Sequence, residues 1–126
     1  MKRLEGNVTI VTGGGKGIGY GLAQAFAEAG SNLVITGRTL SRLESAKERR
    51  EAEYGVKVLP IVADGEDESA IKDVVAQTIA TFGKINTLVN NAQVSKSGLP
   101  LIEHTKEDLD LSIHSGLYAA FFYMRE

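Results

Sequence analysis

The chain has 126 residues, 43% apolar and 24% charged, with 14 glycines, 2 prolines and no cysteine; this is the make-up of one ordinary soluble domain and excludes disorder, a collagen-like repeat and a disulfide scaffold. Fourteen basic against sixteen acidic side chains leave a net charge of -2, without the basic surplus that nucleic acid requires, and the lack of cysteine excludes thiolate zinc sites, redox pairs and cysteine nucleophiles. No apolar run approaches the ~18 residues that cross a bilayer and the start MKRLEGN has no signal core, so the expectation is a cytoplasmic protein without membrane contact.

Apolar runs alternate with stretches of helical period, which predicts an α/β fold: a doubly wound parallel sheet with helices on both faces. Residues 7–12 (NVTIVT) are a near-continuous β-branched run, the pattern of a strand buried on both faces, and are expected in the sheet centre. After a glycine cluster, Ile18, Leu22 and Phe26 form the stripe of a helix that Gly30 ends in a left-handed conformation. Residues 32–36 (NLVIT) predict the second strand. Residues 40–54 predict a helix with a thin apolar line, Leu40, Leu43 and Ala46, and a solvated face of Arg, Lys and Glu.

The third strand is expected over 57–63 (KVLPIVA). Its Pro60 cannot donate to a ladder and so belongs at a sheet edge or strand end, which fits the order 3-2-1-4 of a dinucleotide-binding half-sheet. Ile71, Val74, Val75, Thr78, Ile79 and Phe82 outline an amphipathic helix closed by Gly83, and a fourth strand follows at 85–90. Residues 91–104 read as a polar loop. Thr105 and Asp108 resemble a capping box, with Asp in place of Glu or Gln, opening a last helix that runs to the terminus. Leu109, Ile113, Leu117 and Phe121 share one face of it, with Gly116 in its middle at a cost of roughly 1 kcal/mol relative to Ala. No repeat or linker divides the chain, and residues 1–126 are expected to form one domain.

Thr12-Gly13-Gly14-Gly15-Lys16-Gly17-Ile18-Gly19 lies between the first strand and the first helix, where free backbone N–H groups and the positive helix end can hold a phosphate. The nucleoside-triphosphate loop fails here, because Gly17 follows Lys16 where Ser or Thr is needed for magnesium. Gly-x-Gly-x-x-Gly also fails, because Tyr20 stands at the third glycine. Gly-x-x-x-Gly-x-Gly fits at Gly13, Gly17 and Gly19.

With Thr12 in front, this pattern resembles the cofactor loop Thr-Gly-x-x-x-Gly-Ile-Gly of the short-chain dehydrogenase/reductase family. Asn90-Asn91-Ala92-Gln93 likewise resembles the family's Asn-Asn-Ala-Gly at the end of the fourth strand, with Gln93 replacing the glycine. The resemblance covers essentially the whole chain and implies a Rossmann-type fold and a nicotinamide cofactor. It implies that backbone around Gly13, Gly15, Gly17, Ile18 and Gly19 lies against the adenine ribose and pyrophosphate, that Asp64 meets the adenine amino group, and that Asn90 and Ala92 line the nicotinamide ribose. Thr12 would tie the first strand to the Asn-Asn-Ala motif. An N-cap at Asp64 or Asp67 is a compatible alternative for that segment.

Charge points to the form of the cofactor. An NAD site usually ends its second strand in an acid that accepts from the ribose 2′-hydroxyl, whereas here Gly37 holds that place, Arg38 can offer a planar fork to a 2′-phosphate and Lys16 adds a second cation. The expectation is NADP(H) over NAD(H), against the bland alternative that both side chains are ordinary solvated cations.

The family's catalytic Tyr-x-x-x-Lys is absent: the residues four after Tyr20, Tyr54 and Tyr118 are Gln24, Val58 and Phe122, and Tyr123 is followed by only three residues. No catalytic residue is assigned, and Tyr118 and Tyr123 read as packing residues. Gly116 stands where many members carry a proton-relay asparagine, with His114 nearby as a surface histidine. The resemblance implies a protein about twice this length, and an end in mid-helix without a capping glycine reads as a truncation. The expected function is therefore the cofactor-binding half of an NADP(H)-dependent oxidoreductase acting on a small carbonyl or secondary alcohol. The alternatives are a non-catalytic NADP(H)-binding module and an inactive fragment. A homo-oligomer through the helix at 105–126 is the partner the resemblance adds.

Overall fold

The computed structural model describes residues 2–126. Four parallel strands, β1 (Val8–Thr12), β2 (Asn32–Gly37), β3 (Val58–Val62) and β4 (Thr87–Val89), lie in the order β3-β2-β1-β4. The helices α1 (Gly17–Glu28), α2 (Leu40–Tyr54) and α3 (Glu68–Phe82) connect them. Pro60 sits on the edge strand β3, paired with Ile35 of β2. β4 is shorter than the run at 85–90 predicted, although Ile85 still packs into the core.

Side chains alternate across each strand, so each strand feeds two cores. Val11, Leu33, Ile35 and Val58 pack under α1 and α2, while Val8, Ile10, Val34 and Ile61 pack under α3 and the C-terminal helix. Fully burying a side chain such as Leu33 or Ile10 stabilises the fold by about 1.5–3 kcal/mol relative to exposure.

The C-terminal region departs from one regular helix. A short 3₁₀ turn (Leu101–Glu103) leads to α4 (Lys106–Ser112), a wide π-helical segment (Ile113–Tyr118) and α5 (Ala119–Arg125). The expected capping box is present: Thr105 Oγ1 accepts from the Asp108 amide, and the Asp108 carboxylate accepts from the Thr105 amide.

Three helix faces differ from the predicted stripes. On α1 the buried line is Gly19, Ala23 and Ala27, while Leu22 and Phe26 pack only at its flank and Ile18 is 78% exposed. On the C-terminal region Ser115, Ala119 and Tyr123 face the sheet, leaving Leu109, Leu117 and Phe121 outside. On α1 small residues win because they let the helix axis come close to the sheet, and on the C-terminal region Ser115 and Ala119 do the same while Tyr123 fills the core at its far end. On α2, Leu40 is exposed and the charged run is not all solvated, since Arg50 is only 1% exposed. Its Nη2 donates to the Tyr20 carbonyl at 3.3 Å, its Nη1 donates to Glu53 Oε2 at 3.2 Å, and its guanidinium lies 4.1 Å from the Tyr20 ring centre. Stacking and ion pairing work against the desolvation of this cation, whose buried Nε has no hydrogen-bond partner among the described residues, and join α1 to α2. No helix among the described residues is long and apolar enough to cross a membrane.

Candidate functional site

A cavity of about 1010 Å³ opens at the carboxyl ends of the four strands. It lies where the chain leaves β1 for one side of the sheet and β4 for the other, the switch point at which open α/β sheets bind ligands. Thr12, Gly13, Gly15, Lys16, Gly17, Arg38, Asp64, Asn90 and Ala92 line it. Ile18 and Gly19 do not: Ile18 projects from the first turn of α1 into solvent, and Gly19 lies beneath the loop.

The glycine loop is built for close backbone approach. Gly13 and Gly17 have φ of 68° and 57°, the left-handed region that side-chain-bearing residues rarely adopt. A Cβ on Gly19 would run into the Gly13 carbonyl oxygen and the Asn91 side-chain amide, so only glycine lets α1 start directly under the loop. Lys16 occupies the N-cap position of α1 without capping it by side chain, which leaves the first-turn N–H groups and the positive end of the helix directed at the cavity.

Thr12 couples this loop to the end of β4. Its Oγ1 accepts from the Asn91 and Ala92 amides at 3.0 and 2.9 Å and donates to the Val89 carbonyl at 3.3 Å, while Asn91 Nδ2 donates to the Thr12 carbonyl at 3.1 Å. One hydroxyl therefore orders both peptide segments that border the cavity.

The cationic end carries Lys16, Arg38 and Arg42, none of them in an ion pair among the described residues. Arg42, in the first turn of α2 and four residues beyond Arg38, is a cation that the charge pattern at the end of β2 does not single out. Asp64 and Asp67 divide the two roles considered for this segment. Asp64 lines the cavity, and its Oδ1 accepts from the Glu66 amide at 3.0 Å. Asp67 caps α3, with the Ser69 hydroxyl and the Ser69 and Ala70 amides holding its carboxyl below the usual carboxylate range.

Asn90, Gln93 and the helical segment from Ser112 to Tyr123 complete the lining, with Ser115 and Ala119 lying against Gly65. Ser115 is buried, and its Oγ accepts from the Val94 amide at 2.9 Å and donates to the Val94 carbonyl at 2.8 Å, a clamp no sequence motif announced. Tyr123 belongs to the core and also lines the cavity. Burial pushes its phenol up, with the Thr36 hydroxyl acting in the opposite direction.

A family model described as short chain dehydrogenase matches residues 7–126. The chain is 53% identical over 132 aligned residues to a 12alpha-hydroxysteroid dehydrogenase of Clostridium sp., covering 100% of this chain and 51% of the relative. Among solved structures it is similar to the L-sorbose reductase of Gluconobacter frateurii complexed with NADPH and L-sorbose, with a TM-score of 0.92, 29% identity, and 99% of this chain and 48% of that one covered. It is also similar to an NAD+-bound xylitol dehydrogenase, with a TM-score of 0.92, 29% identity, and 98% and 47% covered. The chain thus spans about half the length of these three proteins.

Proposed function

Because the chain belongs to the short chain dehydrogenase family, we propose that it binds NADP(H) in the cavity at the carboxyl ends of its strands and forms the cofactor-binding part of an oxidoreductase acting on a secondary alcohol or carbonyl. The observation that carries this reading is the union, in one cavity, of a glycine loop with left-handed turns at Gly13 and Gly17 and three cations free of carboxylate partners among the described residues. The pyrophosphate would lie against the N–H groups at the start of α1, with Gly13, Gly15 and Gly17 giving it access. Lys16, Arg38 and Arg42 would hold the 2′-phosphate, while Asp64 would accept from the adenine amino group. Asn90 and Ala92 would line the nicotinamide ribose, where Thr12 orders their backbone. Ile18 and Gly19 keep a place in this reading only through their backbone, as part of the first turn of α1.

The bound nicotinamide would supply the hydride chemistry. This chain's residues bind it and orient it, and no Tyr-x-x-x-Lys occurs among the 126 residues. The 53% identity to a hydroxysteroid dehydrogenase makes a hydroxysteroid the first substrate to offer.

Titration of the purified protein with NADPH, followed by nicotinamide fluorescence, is expected to saturate in the micromolar range or below and to show weaker binding of NADH. Equal dissociation constants would remove the NADP(H) assignment, and no binding of either would remove the whole reading.

Self-association belongs to the same proposal. Leu117, 67% exposed, forms with Leu109 and Phe121 an apolar stripe that sheet packing leaves uncovered. Light scattering at micromolar concentration is expected to give a multiple of the 13.5 kDa chain mass, and a monomeric mass would contradict it.

A further inference from the structure

Gln93 and Gly116 meet in the lining of the cavity. A Cβ built on Gly116 would lie 3.4 Å from Gln93 Cγ, 3.6 Å from Cδ and 3.8 Å from Nε2, so the glutamine side chain lies across the face of the glycine. Both residues line the cavity.

The backbone of Gln93 is held on both sides. The preceding amide, of Ala92, donates to Thr12 Oγ1, and the following residue, Val94, is gripped through its amide and carbonyl by Ser115 Oγ. A side chain on so restrained a backbone has its direction set by its neighbour. Any residue at 116 larger than alanine would need the volume that the carboxamide occupies. Gly116 also lies within the π-helical segment Ile113–Tyr118, an irregularity of the kind often found at ligand sites. No hydrogen bond to another residue engages the Gln93 amide among the described residues, although it has two donors and an acceptor.

We propose that the Gln93 carboxamide hydrogen-bonds the nicotinamide–ribose half of the dinucleotide, in space that Gly116 keeps open. This rests on the NADP(H) reading. If the glycine loop takes the pyrophosphate and Lys16, Arg38 and Arg42 take the adenosine side, the remaining half of an extended ligand reaches Asn90, Ala92 and Gln93. A carboxamide suits it, because ribose hydroxyls and the nicotinamide amide each offer both donors and acceptors.

The test compares NADPH with 2′-phospho-adenosine diphosphate ribose, which lacks the nicotinamide. Gln93→Leu keeps the packing against Gly116 and removes the amide. It is expected to weaken NADPH about three- to tenfold, the yield of one hydrogen bond, and to leave the truncated ligand unchanged. The double variant Gln93→Gly/Gly116→Asn delivers a carboxamide to the same space from the helix and is expected to regain most of the NADPH affinity. Unchanged NADPH affinity in Gln93→Leu overturns the proposal, as does equal weakening of both ligands, which would make Gln93 a general support of the site. A double variant that remains at the Gln93→Leu level also counts against it. Wild-type protein that binds neither ligand overturns the dinucleotide reading itself, a result distinct from all of these.

Discussion

Replacing Gly19 by alanine is expected to lower unfolding stability by about 3 kcal/mol and to abolish measurable NADPH binding, the upper end of what an overpacked methyl costs. The added methyl would collide with the Gly13 carbonyl and the Asn91 side chain. The carbonyl cannot yield by rotating, because it belongs to the backbone of a left-handed turn. Either α1 must withdraw from the sheet, opening a gap under Ala23 and Ala27, or the loop must move and lose its cradle. Gly21→Ala in the same helix is the control: nothing lies within 4 Å of its Cβ, and removing an interior helix glycine is expected to stabilise by about 0.5–1 kcal/mol. Urea melts of both variants, with NADPH titration beside them, check the pair. A Gly19→Ala protein as stable as wild type and still able to bind would mean that the loop is more plastic than its contacts allow.

Arg38→Asp is expected to weaken NADPH binding about 10- to 100-fold while changing NADH less than threefold. A charge-assisted hydrogen bond to phosphate contributes about 1.5–3 kcal/mol, and the exposed setting of Arg38 puts the loss at the lower part of that range. The introduced carboxylate adds repulsion toward the 2′-phosphate and can accept from a 2′-hydroxyl. Lys16 and Arg42 remain, which is why the loss is expected to stay within two decades. Added salt should narrow the difference between wild type and variant, because both terms are screened. If the variant keeps its preference for NADPH, discrimination does not run through Arg38.

Much of the frame was legible in the chain itself. The β-branched run before Thr12 placed β1 inside the sheet, and Pro60 placed β3 at the edge, because a strand buried on both faces needs no polar side and a ladder needs every amide on its inner edge. The spacing of Gly13, Gly17 and Gly19 pointed to the loop, since positive φ and close approach are local demands met by a local residue.

Helix facing was different. α1 presents the small residues Gly19, Ala23 and Ala27 to the sheet, and the C-terminal segment presents Ser115, Ala119 and one large residue, Tyr123. A periodicity of large apolar residues picked the neighbouring stripe in each case. Hydrophobicity says that a face is to be covered, while the distance between helix axis and sheet selects which residues fit beneath it. That distance exists only in the assembled fold.

What the sequence by itself determined, then, is the order of elements, the centre and edge of the sheet and the place of the glycine loop, because each follows from interactions between near neighbours in the chain. What only the tertiary structure decided is the burial of Arg50 against Tyr20, the third cation at Arg42, the Ser115 grip on Val94 and the contact of Gln93 with Gly116. Each joins separate elements of the chain at a spacing set by packing, and no local pattern encodes such a distance.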